Sequence, residues 1–377
     1  MNSKRPQVAS VRRWLLPLVA LGALGTAQPG PAVPGDADAD YTVISGSGNV
    51  SAQTLRTAIA PLFTDEALGT TQSLLVMRDG AVIAERYGEG IAPGTPLLSR
   101  SVGKCVTAAL VGLMVSDGRL ALDSPVPVGA WDQPGDPRGG ITLRHLLTMT
   151  SGLEHREAGD PLASSDTVRM LFTDGAHDMA AFAEAKPIAA KPGTQFNYST
   201  ADTQILSDLL TRMLTDSTDP DVRRAAMMDF VRGRLIEPVG LKSLTPEFDA
   251  RGTMIGGAML HMTTRDYGRL GEFLRQKGRA GGRQILSARW VDFMTHASAR
   301  NPAYGGHLWV NREGTGNPLF PGRGSRGLFA CVGHHGQYVI VSPAQRLVVV
   351  RMGLTAEEQM GALRGALAGL VEQFPAG

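Results

Sequence analysis

The chain has 377 residues, 43% apolar and 19% charged, which suits a globular protein with a substantial core arranged as one large domain or two. The net charge is +2 and the arginines are scattered, so bulk electrostatics gives no footing for nucleic acid or an anionic membrane as partner.

Residues 1–27 read as an export signal. Lys4, Arg5, Arg12 and Arg13 form a basic start, Trp14 to Gly25 is a short apolar run, and Gly25-Thr26-Ala27 offers small residues for cleavage. The run is too short for an ordinary membrane span, so a periplasmic or secreted protein with no stable membrane insertion after cleavage is expected. The Pro-, Gly- and Asp-rich stretch that follows reads as a flexible linker, taken to residue 50.

Ser51 to Phe63 suits a first helix. Ser73 to Met77 and Ala81 to Tyr87 flank Arg78-Asp79-Gly80, and Asp-Gly between two such runs signals a hairpin. A buried helix opens at Ser101-Val102-Gly103-Lys104, with Val102, Val106, Ala109, Leu110, Leu113 and Met114 at helical spacing and Gly118 as a stop. From about 120 to 265 strand character is scarce. Helices are expected over Thr142–Met149, Ser165–Phe172, Met179–Ala185, Thr203–Leu214 and Met227–Leu235. Thr264–Gln276 and Ser287–His296 then read as helices, and Gly306–Asn311, Leu328–Val332, Gln337–Ser342 and Leu347–Met352 as strands. Thr355 to Glu358 reads as the capping box of a terminal helix. The pattern predicts an α/β (α+β) fold. One antiparallel sheet is built from both chain ends (51–118 and 266–377) and flanked by helices, with a mostly helical insertion over 119–265.

Ser101 and Lys104 are three apart and share a helix face. A serine hydroxyl needs a base to become a nucleophile, and a lysine kept neutral by burial can serve. The backbone N–H groups at a helix start favour developing negative charge. The tetrapeptide alone could be a helix cap followed by a solvated lysine. Two features favour the chemical reading: lysine is scarce, six against 31 arginines, and this is the only S-x-x-K in the chain. Tyr198, in a loop before a helix, could shuttle a proton beside the lysine. Gly333-His334-His335-Gly336-Gln337 opens a strand, where an edge N–H could join that of Ser101 as an oxyanion hole.

Other signals carry less. Gly322-x-Gly324-x-x-Gly327 has the letters of a dinucleotide fingerprint without the strand and helix around it. There is no H-E-x-x-H and no paired C-x-x-C, and neighbours such as His334 and His335 on a strand point to opposite faces, so no metal or cofactor is indicated. An oxidising compartment would permit a bridge between Cys105 and Cys331, but a chain of this size needs no staple, and two buried free thiols are expected.

Several stretches together resemble the serine β-lactamase-related hydrolases, in the branch similar to class C β-lactamases that includes penicillin-binding-protein-like esterases and 6-aminohexanoate-oligomer hydrolases. They are Leu98-Ser99-Arg100-Ser101-Val102-Gly103-Lys104, Ile141 to Leu153 (ITLRHLLTMTSGL), Phe196-Asn197-Tyr198-Ser199-Thr200, Met262-Thr263-Thr264-Arg265-Asp266 and Gly336-Gln337, in order across roughly residues 70 to 355. The resemblance implies a β-lactamase/transpeptidase-like fold, Ser101 as the acylated nucleophile, Lys104 as proton acceptor and Tyr198 as the group assisting the leaving group. It places the second oxyanion N–H at Gln337, and Thr200, His334, His335 and Gly336 at substrate-binding positions. Thr200 stands where β-lactamases have asparagine and His334 where they have lysine. Those departures favour an exported esterase or amidase acting on a small ester, amide or short peptide. A true β-lactamase or D-Ala-D-Ala peptidase, and a non-catalytic binding module of the same fold, are the rivals.

Overall fold

The computed structural model of the protein describes residues 42–325 and 327–376, so the export-signal reading of 1–27 lies outside the described residues. The linker expectation does not extend to residue 50. Val43–Ile44 (β1) pairs antiparallel with the first hairpin, registering Val43 with Glu85.

That hairpin forms where Asp-Gly predicted it. Thr70–Arg78 (β2) and Ala81–Tyr87 (β3) are joined by Asp79 and Gly80, both with positive φ, as a two-residue hairpin turn demands. Near the other chain end lie Trp309–Val310 (β4), Phe329–Gly333 (β5), Gln337–Ser342 (β6) and Leu347–Leu354 (β7). The seven strands form one sheet in the order β1-β3-β2-β7-β6-β5-β4, so the two chain ends meet where β2 pairs antiparallel with β7. The strand expected over Gly306–Asn311 shrinks to two residues, since Gly305 and Gly306 pack against the backbone of Met294.

Side-chain alternation sorts the sheet into two core layers. Leu74, Val76, Ile340 and Val349 face one layer with helices Ala52–Thr64 (α1) and Met360–Glu372, the last helix of the chain. Leu75, Met77, Val339, Val348 and Val350 face the other, with Gly103–Ser116 (α2), where Gly103 to Met114 are all buried. The helices Thr200–Leu214 (α3), Thr264–Arg275 (α4) and Ala288–Thr295 (α5) join this second layer. Residues 119–265 bring Leu146, Leu206 and Leu210 into the same cluster.

Two expectations are overturned here. The terminal helix is not capped by a Thr355–Glu358 box. The Thr355 hydroxyl donates to Leu68 O at 2.8 Å and accepts from Arg351, and Gln359 takes the N–H of Ala356 instead. The two cysteines are not free. Cys105 on α2 and Cys331 on β5 form a disulfide with their Cα atoms 6.1 Å apart. Chain size governs whether a staple is needed, not whether two thiols meet, and the first turn of α2 packs against β5.

The bridge closes a loop of 226 residues. Replacing both cysteines with alanine should cost about 2–4 kcal/mol of stability, read as a lower urea midpoint. An unchanged midpoint would show that the bridge adds nothing to the fold.

Candidate active site

Ser101 lies in a 3-10 turn, Arg100–Val102, that runs straight into α2, and its side is partly open to solvent. The turn is clamped from behind. Ser99 N–H donates to Leu260 O at 2.7 Å, and Leu260 N–H donates to Ser99 Oγ at 3.1 Å. Arg100 takes a left-handed φ of 49°, an uncommon state for a non-glycine residue, directly before the serine.

Lys104 is 1% exposed. Its Nζ donates to Ser101 Oγ at 3.0 Å, Thr200 Oγ1 at 2.8 Å and Gly257 O at 3.1 Å, so the three protons of an ammonium have three acceptors. The Gly257 carbonyl gets this close because its neighbour is glycine. A Cβ on Gly256 would stand 2.3 Å from Thr107 Oγ1. Burial pulls the Lys104 pKa down to about 8, against the opposing charges of Glu157 and Asp202. That shift corresponds to about 3 kcal/mol against the charged form and keeps a neutral amine within reach near neutral pH.

The Tyr198 ring centroid is 5.0 Å from Lys104 Nζ, and its phenol lies near enough to Ser101 for the serine hydroxyl to favour its ionised form. Trp309 stacks on the ring at 5.8 Å and Tyr304 meets it edge-on at 5.9 Å. Burial, and then the Glu157 charge, pushes the phenol well above its ordinary pKa, so it stays protonated. The structure thus brings Ser101, Lys104 and Tyr198 together.

Thr200, expected to bind substrate, does not face the opening. It is 2% exposed and begins α3 behind Ser199, which caps the helix by accepting from Asp202 N–H. Its hydroxyl sits between Lys104 Nζ and Glu157 Oε1, the latter at 2.5 Å.

Glu157 was not anticipated from the sequence. It accepts from Thr200 N–H at 2.8 Å and Thr167 Oγ1 at 2.9 Å, and lies 2.8 Å from His155 Nε2. Burial opposes its ionisation. The His155 hydrogen bond and the Lys104 charge prevail, with the Thr200 hydroxyl adding to them, and hold its pKa at about 2. The available signal was two titratable residues, His155 and Glu157, just after Ser151-Gly152-Leu153. They sit in a loop without periodicity.

The ITLRHLLTMTSGL stretch supports the site from below. Ser151 Oγ donates to Asp202 Oδ1 at 2.8 Å, where burial raises the Asp202 pKa to about 8. Leu147 O holds His307 through Nδ1 at 2.9 Å, and His307 Nε2 meets Thr203 Oγ1 at 3.1 Å. Burial lowers the His307 pKa to about 3, so a neutral imidazole underlies the lysine.

The β5–β6 hairpin closes the other side. A Cβ on Gly333 would stand 2.7 Å from Ser99 O and 2.9 Å from Arg100 Cβ, so the end of β5 runs against the serine turn. Gln337 is not the open amide expected there. Asn311 N–H donates to Leu328 O across the outer edge of β5, and main-chain groups alternate along a strand. Leu328, Ala330, Val332 and then His334 therefore point outward, whereas Phe329, Cys331 and Gly333 point at β6. Gln337 is paired with Gly333, which directs its N–H inside the hairpin, and its side chain is bound to Gly353 and His334 O. Among the described residues no backbone carbonyl accepts from His334 N–H.

His334 and His335 lie in a turn, not on a strand, and the left-handed φ of 62° at His335 brings their rings to 3.9 Å rather than to opposite faces. Burial lowers both histidine pKa values, that of His335 to about 4, with Arg100 adding its repulsion. Gly336 does not face the opening. A Cβ there would meet Leu363 at 2.6 Å and Arg351 at 2.7 Å, and the Arg351 guanidinium donates to the carbonyls of His335 and Gly336.

A model of the Beta-lactamase family matches residues 66–371. A 6-aminohexanoate-dimer hydrolase of Paenarthrobacter ureafaciens is 23% identical over 307 residues, covering 75% of this chain and 72% of that protein. Esterase EstB of Burkholderia gladioli is 32% identical over 148 residues, covering 34% of this chain and 37% of its own. The crystal structure of a penicillin-binding protein homolog from Caulobacter crescentus superposes with a TM-score of 0.56 at 16% identity, covering 84% of this chain and 96% of that one.

Proposed function

The chain belongs to the beta-lactamase family, and from that premise we propose that it is a serine hydrolase cleaving an ester or amide through an acyl-enzyme on Ser101. One observation carries the reading: a fully buried lysine amine, its pKa drawn down to about 8, lies 3.0 Å from the hydroxyl of the serine that opens α2. Nucleophile and base within hydrogen-bond reach, with the base positioned by further groups, is the arrangement nucleophilic catalysis needs.

In this account neutral Lys104 takes the Ser101 hydroxyl proton as Oγ attacks the substrate carbonyl carbon. The N–H groups of Ser101 and His334 receive the oxyanion. Tyr198 passes a proton to the leaving oxygen or nitrogen and is reprotonated from Lys104. Water then attacks the acyl-enzyme carbonyl by the same proton path, releasing the acid and free Ser101. Export through the segment 1–27, to a periplasmic or extracellular location, belongs to the same proposal.

The curated relatives point to ester and amide bonds in small molecules, and the histidines favour these over β-lactams. With both pKa values pushed down, His334 and His335 are neutral near pH 7 and do not replace a lysine charge opposite a β-lactam carboxylate. Thr200 is turned to Lys104 and offers nothing to an acylamide side chain. Losing charge-assisted contacts costs about 1.5–3 kcal/mol. Arg100 supplies a standing positive charge beside His334, so the comparison is a real contest. The kcat/KM for p-nitrophenyl butyrate should exceed that for a chromogenic cephalosporin by at least about tenfold. Equal or reversed values would favour a β-lactamase. Turnover of neither, nor of any ester or amide in a broad hydrolase panel, would favour a binding module.

A further inference from the structure

We infer that Glu157 is a positioning residue: acting through the Thr200 hydroxyl, it decides which way the lone pair of neutral Lys104 points. The inference rests on the proposed role of Lys104 as base.

The argument is a proton inventory. A threonine hydroxyl has one proton and can either donate or accept along a given contact. Thr200 Oγ1 has two polar partners, Lys104 Nζ at 2.8 Å and Glu157 Oε1 at 2.5 Å. An ionised carboxylate only accepts, so it captures the single Thr200 proton. The hydroxyl oxygen is then left as an acceptor toward Lys104. Gly257 O, at 3.1 Å, also only accepts. A neutral amine has two protons and one lone pair. Thr200 and Gly257 take both protons, and the lone pair is left facing Ser101 Oγ, the third contact at 3.0 Å.

Without the carboxylate the hydroxyl is free to rotate. It can donate to the amine, occupy the lone pair and leave an N–H pointing at Ser101. The amine then donates to the serine when it should accept, and the nucleophile is not activated. Glu157 is itself held by Thr200 N–H, Thr167 and His155, so the carboxylate cannot turn away.

Glu157 also acts on Lys104 through space, and the two effects oppose each other. The charged or titratable groups around the amine are Glu157 and Asp202, which favour its ammonium, and the neutral Tyr198 and His307. Removing the Glu157 charge makes the amine easier to deprotonate. Electrostatics alone would therefore make Glu157→Gln a better enzyme at pH 7, whereas loss of orientation makes it a worse one at every pH.

The experiment measures kcat and KM for p-nitrophenyl butyrate from about pH 6 to 10 in wild type, Glu157→Gln, Thr200→Val and the double variant, each checked by thermal melting. In wild type, activity should rise with pH through the Lys104 pKa of about 8. In Glu157→Gln the high-pH plateau of kcat should fall about ten- to a hundredfold with KM changed less than about threefold, while the acid limb moves to lower pH. Thr200→Val should lower the plateau equally, and the double variant should be no worse than the lower single, because the two residues act as one unit. Thr200→Val reads the same contact should Glu157→Gln fail to fold. A shifted limb with an unchanged plateau, or additive losses, would overturn the inference. Fluorophosphonate labelling separates it from the reading beneath: a wild type not labelled on Ser101 sinks the mechanism, whereas normal labelling with an unchanged Glu157→Gln plateau sinks the positioning role alone.

Discussion

Ser101→Ala is expected to lower kcat for p-nitrophenyl butyrate by about four orders of magnitude or more, the scale for losing a nucleophile whose partners act only through it. The hydroxyl lies where a buried amine, a protonated phenol and a helix N-terminus converge. Remove Oγ and the amine has no proton to take. Any residual rate would come from substrate binding and the N–H groups of Ser101 and His334. The fold should survive. Ser101 is partly open to solvent, and Lys104 keeps Thr200 and Gly257 as acceptors. A melting temperature within a few degrees of wild type would show that the lost activity is chemical. Activity within tenfold of wild type would remove Ser101 from the mechanism.

Lys104→Ala and Tyr198→Phe should each lower kcat/KM about a hundredfold or more, the usual scale for positioned acid–base help. The Tyr198 ring lies 5.0 Å from the same amine with its phenol near Ser101, and in this account the two groups share one path for the proton. The double variant should then be little worse than the worse single. Strictly additive losses would mean two separate roles. The variants should also differ in stability. Tyr198→Phe keeps the ring packed on Trp309 and Tyr304, whereas Lys104→Ala leaves the ionised Glu157 without its nearby cation and is the one expected to melt lower.

What was legible in the sequence was local. Ser101 and Lys104 stand one helical turn apart in an apolar run, Asp79-Gly80 announces its hairpin, and apolar-rich runs near both ends announce the sheet. Fold class and the candidate pair Ser101 and Lys104 follow from local signals of this kind. Features that depend on which elements become neighbours were not legible. The Gly333–Gln337 segment shows a turn and a strand, but which amides face outward depends on β5 having β6 on one side and the short β4 on the other. The open amide is therefore His334, three residues before the expected one. Thr200 is expected at the site because the resemblance puts it where β-lactamases carry asparagine, and Lys104 together with Glu157, 43 residues upstream, turns its hydroxyl inward. Glu157 comes from a loop with no periodic signal. The Cys105–Cys331 bridge depends on α2 packing against β5, which their separation of 226 residues does not reveal.

The central claim is that Ser101 becomes acylated. Its most direct test is intact-mass spectrometry followed by peptide mapping of the wild-type protein quenched during reaction with a slowly deacylating ester, beside Ser101→Ala treated identically. The account predicts one added acyl mass on the peptide carrying Ser101 and none on the variant. An adduct on any other residue, or an equal adduct on Ser101→Ala, would contradict it.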